Sequence, residues 1–246
     1  MRSKVPASNQ VRDEWLRRVQ AEYTSAAITQ HLGLWLIQAG TSPDLIKASL
    51  RIVTDELMHA RLSHETYQRA GGTNPPALVR EQLGLSRNLR DSLEADIARI
   101  CISVFCLGET VAVPLFRRLR EGATVPVARR ALDRILRDEV RHRDFGWLLL
   151  DWLLEQPYAD QVRQLAQEEL PIMFATLAHN YGATKKNPSK KIDEADRVWG
   201  LMSSADYAAA VFKTVERDWG PRFSARGIDG KAAWEKSKNV RVTEPL

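Results

Sequence analysis

The chain has 246 residues, 44% hydrophobic and 27% charged, the composition of a globular protein long enough to bury a sizeable core. Its longest apolar run, near Leu148–Leu154, is broken by Asp151, and Met1–Pro6 lacks an apolar leader, so neither a membrane span nor a secretory signal is expected. A net charge of +5 and a pI near 9.3 admit nucleic acid or an acidic surface as partner, although a solvated surface rich in arginine explains them more simply.

In chain order, the first helix is expected over 12–39, where Trp15, Val19, Glu22, Ala26, Thr29, Gly33 and Leu36 recur at steps of three or four. Gly40-Thr41-Ser42-Pro43 ends it, with Ser42 as N-cap and Pro43 at N1 of a second helix that runs to about Arg69 and stops at Gly71-Gly72. Thr73–Leu89, with Pro75-Pro76 and Gly84, reads as a long connection holding at most a short helix. A third helix is expected over 91–120 and a fourth over 125–155, ending before Pro157. Beyond it, Ala159–Tyr181 reads as a helix kinked at Pro171. Asp193–Leu201 and Ser204–Asp218 read as shorter helices. Lys185–Lys191 is a basic loop between helical patterns, and Val240–Leu246 a frayed tail. Cys101 and Cys106 lie five apart in the third helix. On an α-helix they diverge, so no mutual disulfide is expected, and the setting is taken as reducing and cytoplasmic.

The informative feature is a repeated word. Asp55-Glu56-Leu57-Met58-His59 and Asp138-Glu139-Val140-Arg141-His142 both read Asp-Glu-x-x-His, on the second and fourth helices. Residues three apart share a helix face, so each copy aims one carboxylate and one imidazole in the same direction. Four-helix bundles build dinuclear metal sites from two such Glu-x-x-His pairs and one Glu from each of two further helices. Glu22 and Glu109 supply the two single carboxylates, each on the apolar face of its own helix. Glu109 lies within Ile102–Val113, where an isolated ionised carboxylate is too costly to bury without a partner. A single Glu precedes each word, by 34 residues in the first half and 30 in the second, about the length of a helix, a turn and the return.

This pattern resembles the ferritin-like superfamily of dinuclear metal-carboxylate proteins, which includes ferritins, rubrerythrins, ribonucleotide reductase small subunits and aldehyde-deformylating oxygenases. The resemblance covers roughly residues 12–155. It implies an all-α fold, with a ferritin-like four-helix bundle over 1–156 carrying the site and additional C-terminal helices over 157–246. It implies that Glu22, Glu56, His59, Glu109, Glu139 and His142 are both metal ligands and the seat of the chemistry, with Glu56 and Glu139 bridging. Asp55 and Asp138 would accept the N–H of the non-ligating imidazole nitrogen, each from the His of the other motif. The gap of 53 residues from Glu56 to Glu109 is longer than in ferritins and is similar to that of the aldehyde-deformylating oxygenases. The Cys-x-x-Cys pairs of classical rubrerythrins are absent from the sequence.

The implied cofactors are two iron ions, or a mixed manganese and iron pair, with O2 as co-substrate. The implied function is oxidation of a small organic molecule by an O2-dependent oxidase or oxygenase. An electron donor such as a ferredoxin or a flavin reductase would serve as partner, and the state would be monomer or homodimer. The alternatives are iron handling or peroxide reduction, and hydroxylation of a modified tRNA base. The last uses the basic loop but lacks an aromatic stacking platform. Small residues near the ligands (Ser25, Ala26, Thr29, Ala60, Ser63, Ala112 and Gly146) either leave room for substrate or let helices pack closely.

Overall fold

The computed structural model describes residues 7–184, 188–189 and 191–242. Lys185, Lys186, Asn187 and Lys190 of the expected basic loop lie outside the described residues, as do Met1–Pro6 and the last four residues of the expected tail. Among the described residues the secondary structure is entirely helical.

Helix α1 spans Asn9–Gln38, opened by Ser8, whose hydroxyl accepts from the Val11 amide. Gly40, at φ 68°, gives the left-handed turn that ends it. Helix α2 follows at Pro43–Arg69, capped by Ser42 as expected. The connection after it holds one 3-10 turn, Arg80–Gln82. It is tied back by the Leu85 amide donating to His31 Nδ1 at 2.9 Å and by Gln20 Nε2 donating to the Ala77 carbonyl at 2.9 Å.

The expected third helix has three parts. Helix α3 (Leu93–Ile100) continues into a π-helical segment, Cys101–Glu109, and then into α4 (Thr110–Gly122). Pro114 lies inside α4, lacks the N–H that would bond the Thr110 carbonyl, and clashes with that carbonyl in a regular helix. Ser103 Oγ also takes the Arg99 carbonyl at 2.7 Å, so the ladder is perturbed on both sides of the segment. The whole rod, Leu93–Gly122, is long and apolar enough to cross a membrane, with mean hydropathy 1.7 over its best window. The sequence reading noted the apolar run Ile102–Val113 around Glu109 but took Leu148–Leu154 as the longest, and so did not weigh this stretch as a span. That window is 61% buried inside the chain, so its apolar surface is consumed largely by packing.

Helix α5 spans Pro126–Leu154 and α6 spans Ala159–Asn180, with Pro171 inside it. The end of the chain is more segmented than expected. Helix α7 is one turn, Glu194–Arg197, and α8 is Ser204–Thr214. A π turn, Val215–Trp219, leads into α9, Gly220–Ser224. The sequence reading missed α10, Gly230–Ser237, which is capped by Asp229.

The chain divides into two compact units, and two of the boundaries fall within helices, at 115/116 in α4 and 138/139 in α5. The first unit joins residues 1–87, 116–138 and 191–202. In it α1 and α2 pair antiparallel, with Ser25 facing Glu56 and Arg12 reaching the Ala70 carbonyl. Trp15 Nε1 donates to the Trp199 carbonyl at 3.0 Å, and the Thr124 and Val125 amides both donate to the Val198 carbonyl. The second unit joins 88–115, 139–190 and 203–246. Its core gathers Phe174, Trp219, Phe223 and Trp234 edge to face. Gly146 lies so close to the π segment that a Cβ there would meet Phe105 Cβ at 2.5 Å and the Cys106 backbone nitrogen at 3.0 Å. Gly146 therefore serves close helix packing and leaves no room for a substrate.

Candidate metal centre

All six residues singled out as ligands are buried, His59 and His142 completely. Each unit holds one of the two sets formed by a single Glu and a Glu-x-x-His pair.

In the first unit, α1 supplies Glu22, and α2 supplies Glu56 and His59 from one face. His59 Nδ1 lies 3.7 Å from a Glu22 oxygen and 3.5 Å from a Glu56 oxygen. The other ring nitrogen, Nε2, lies 3.1 Å from Asp138 Oδ2 on α5. Asp138 thus meets the histidine of the other motif. Arg134, one turn before Asp138, bonds it through Nε and reaches Asp55 Oδ1 through Nη2 at 3.3 Å. It ties the aspartates of both words to one guanidinium. Sequence reasoning did not single Arg134 out, although its spacing of four from Asp138 was a usable signal. Ser25 Oγ donates to Glu56 Oε1 at 2.9 Å, so this small residue is a donor to a ligand rather than empty space.

In the second unit, the π segment ends on Glu109, and α5 carries Glu139 and His142. His142 Nδ1 lies 3.7 Å from a Glu139 oxygen and 4.0 Å from a Glu109 oxygen. Trp147 Nε1 donates to Thr110 Oγ1 at 3.0 Å, which fixes the residue next to Glu109 against α5.

The donor chemistry of these groups fits a cation. A neutral His59 that gives its Nε2 proton to Asp138 presents a lone pair on Nδ1 toward two carboxylates. Acceptors then face acceptors, and something positive must lie between them. Separations of 3.5–4.0 Å exceed a hydrogen bond, yet two donors each about 2.1 Å from one ion can stand up to about 4.2 Å apart. Buried carboxylate and histidine groups among the described residues can hold metal ions. A proton is the other candidate. Burial opposes a charge on His59, but the hydrogen bond to Asp138 and the negative charge of the nearby Glu22 and Glu56 carboxyls outweigh it and push its pKa up to about 12. Burial, reinforced by repulsion from Glu56, raises the Glu22 carboxyl to about 7.

The π segment corrects the cysteine geometry. With i→i+5 winding, residues five apart stack one above the other, as i and i+4 do in an α-helix. Cys101 and Cys106 therefore point the same way, and both thiols donate to the Gly146 carbonyl, at 3.3 and 3.4 Å. Both are free and fully buried, and burial raises the Cys106 thiol well above its ordinary range.

No protein-family model matches the chain, and no curated protein matches it.

Proposed function

We propose that Glu22, Glu56, His59, Glu109, Glu139 and His142 form one dinuclear iron or manganese–iron centre within a ferritin-like four-helix bundle of α1, α2, the α3–α4 rod and α5. In this reading the chain is an O2-dependent oxidase or oxygenase acting on a small organic molecule, re-reduced by an external electron donor. The observation that carries the reading is that each Asp-Glu-x-x-His word, with its single Glu, brings two carboxylates within 3.5–4.0 Å of one buried imidazole nitrogen, a spacing that a single metal ion fills. Four carboxylates balance two divalent ions, so the complete centre is close to neutral and tolerates burial.

Two such metals supply paired one-electron changes toward O2, chemistry that the side chains lack. The chain's own groups do the rest. Asp138 holds the His59 ring and its tautomer, and Arg134 holds Asp138. Ser25 occupies one oxygen of Glu56, leaving the other directed at His59. Phe105, four residues before Glu109, and Phe145, three after His142, are both buried and pack edge to face.

The test is O2 uptake by iron-loaded protein supplied with a reductant, compared with Glu139→Ala. The reading predicts uptake that depends on metal and on Glu139, with the helical circular dichroism of the variant unchanged. Equal uptake by wild type and variant would remove Glu139 from the centre.

A further inference from the structure

The π segment makes neighbours of two cysteines that an α-helix would separate, and the second unit contains everything that holds them together. Gly146, without a Cβ, lets the α5 backbone approach until an added methyl would lie 3.0 Å from the Cys106 nitrogen. That approach brings the Gly146 carbonyl within reach of both thiols, 3.3 Å from Cys101 Sγ and 3.4 Å from Cys106 Sγ. The two sulfurs therefore converge on one oxygen. The Cys101 thiol is near enough to add to the effect of burial in raising the Cys106 pKa. Trp219 Nε1 donates to the Cys106 carbonyl at 3.0 Å and fixes that end of the pair.

This geometry suits a bridge. Residues stacked one helical turn apart have Cα atoms ~5.4 Å from each other, within the roughly 4.4–6.8 Å that a disulfide spans. In an α-helix five residues wind about 140° past a full turn, and the same side chains could not meet. A bridge between them is therefore specific to the π winding. The bonds it replaces are weak. Thiols are poor donors, these two compete for one oxygen, and that carbonyl lies inside α5, whose own ladder uses it. Losing both thiol protons leaves no buried acceptor stranded.

We infer that Cys101 and Cys106 are a modification site, a reversible disulfide that locks the π winding of the segment ending on Glu109. The oxidant is hydrogen peroxide. One thiol sulfur attacks a peroxide oxygen, the O–O bond breaks, and the departing hydroxide takes the thiol proton to become water, leaving a sulfenic acid. The second sulfur attacks the first, the S–S bond forms, and the sulfenic oxygen leaves as water with the remaining thiol proton. The pair gives up two electrons, and one peroxide becomes two waters. Burial and the raised Cys106 pKa make the first step slow. The second step joins sulfurs already held on one oxygen, so it outruns attack by another peroxide. The disulfide stands without any metal; only the role of Glu109 as a ligand rests on the dinuclear reading.

The experiment exposes the metal-free full chain to hydrogen peroxide, alkylates it in denaturant and digests it with trypsin. No Lys or Arg lies between Arg99 and Arg117, so one peptide, Ile100–Arg117, carries both cysteines. The proposal predicts that this peptide is unalkylated and two hydrogens lighter, and that dithiothreitol applied in denaturant before alkylation restores two alkylated thiols. In Cys101→Ala the remaining thiol should gain oxygen instead, as a sulfinic acid. Two free thiols after prolonged exposure, oxygen gain in the wild type, or a disulfide joining two chains overturns the site. Reduction of the bridge should need about tenfold more dithiothreitol, or higher, in the native protein than in urea, and equal demand would mean that the fold does not favour the bridge and overturns it. Amide hydrogen exchange across 101–109 should slow about tenfold or more once the bridge forms. Unchanged exchange overturns the lock while the disulfide stands.

Discussion

Replacing Asp138 by alanine isolates what holds His59. Asp138 is 1% exposed and accepts from His59 Nε2 at 3.1 Å. Without it, a fully buried N–H faces no carboxylate, and nothing selects the tautomer that presents the Nδ1 lone pair to Glu22 and Glu56. Arg134 is not stranded, because its side chain is 40% exposed and keeps Asp55 at 3.3 Å. The loss therefore falls on the imidazole. Groups that orient a ligating histidine in this way are worth about 10–100-fold in metal affinity, or about 1.4–2.7 kcal/mol. Removing the leading hydrogen bond that favours the imidazolium lowers the His59 pKa from about 12, which eases displacement of its proton by the metal and offsets part of that loss. The assay is competition for Mn(II) or Fe(II) against a chromophoric chelator, with folding followed by circular dichroism. Asp138→Asn, which keeps the shape and an acceptor oxygen but not the charge, should lie between wild type and alanine. A folded Asp138→Ala protein with wild-type affinity would refute the reasoning.

Metal affinity should rise with pH, with two slopes. Below pH 7 the metal displaces a proton from both Glu22, at about 7, and His59, at about 12, so log K should climb by close to two per pH unit. Above pH 7 Glu22 is already ionised and the slope should approach one; titrations from pH 6 to 8.5 that show no slope would contradict it. Gly146→Ala should destabilise the protein by about 1–3 kcal/mol in urea unfolding, because the added methyl meets backbone of the π segment. A neutral result would mean that α5 and the segment separate freely. Cys101 and Cys106 should not react with a thiol reagent in the native protein, and both should react once it is unfolded. Rapid native labelling would show that the π segment opens.

What was legible in the sequence was short-range and periodic. Glu56 with His59, and Glu139 with His142, were placed by the three-residue step alone. Serine caps and Gly40 set the ends of α1 and α2, because a hydroxyl that accepts a backbone N–H and a left-handed glycine act within a few residues. The π segment escaped for a physical reason. An apolar run such as Ile102–Val113 has no polar face to betray its period, so an α-helical projection misaligned everything between Cys101 and Glu109. Pro114 was the available signal. Arg134 and Arg18 escaped because an arginine on a helix reads as surface charge until the residues opposite it are known. Their partners, Asp55 for one and Gly200 for the other, lie far away in the chain. Helices α9 and α10 are too short for periodicity to register, and only the Asp229 cap announced the second of them.

The central claim is that six side chains, rather than two separate sets of ion pairs, hold metal. The most direct measurement is the metal content of protein reconstituted with Fe(II) under anaerobic conditions, in wild type and in Glu22→Ala and Glu109→Ala. Two ions per chain in the wild type, with most of the metal lost in each variant while the helices persist, is the predicted result. Wild-type protein that retains no stoichiometric metal would return both Asp-Glu-x-x-His words to buried ion pairs neutralised by protons.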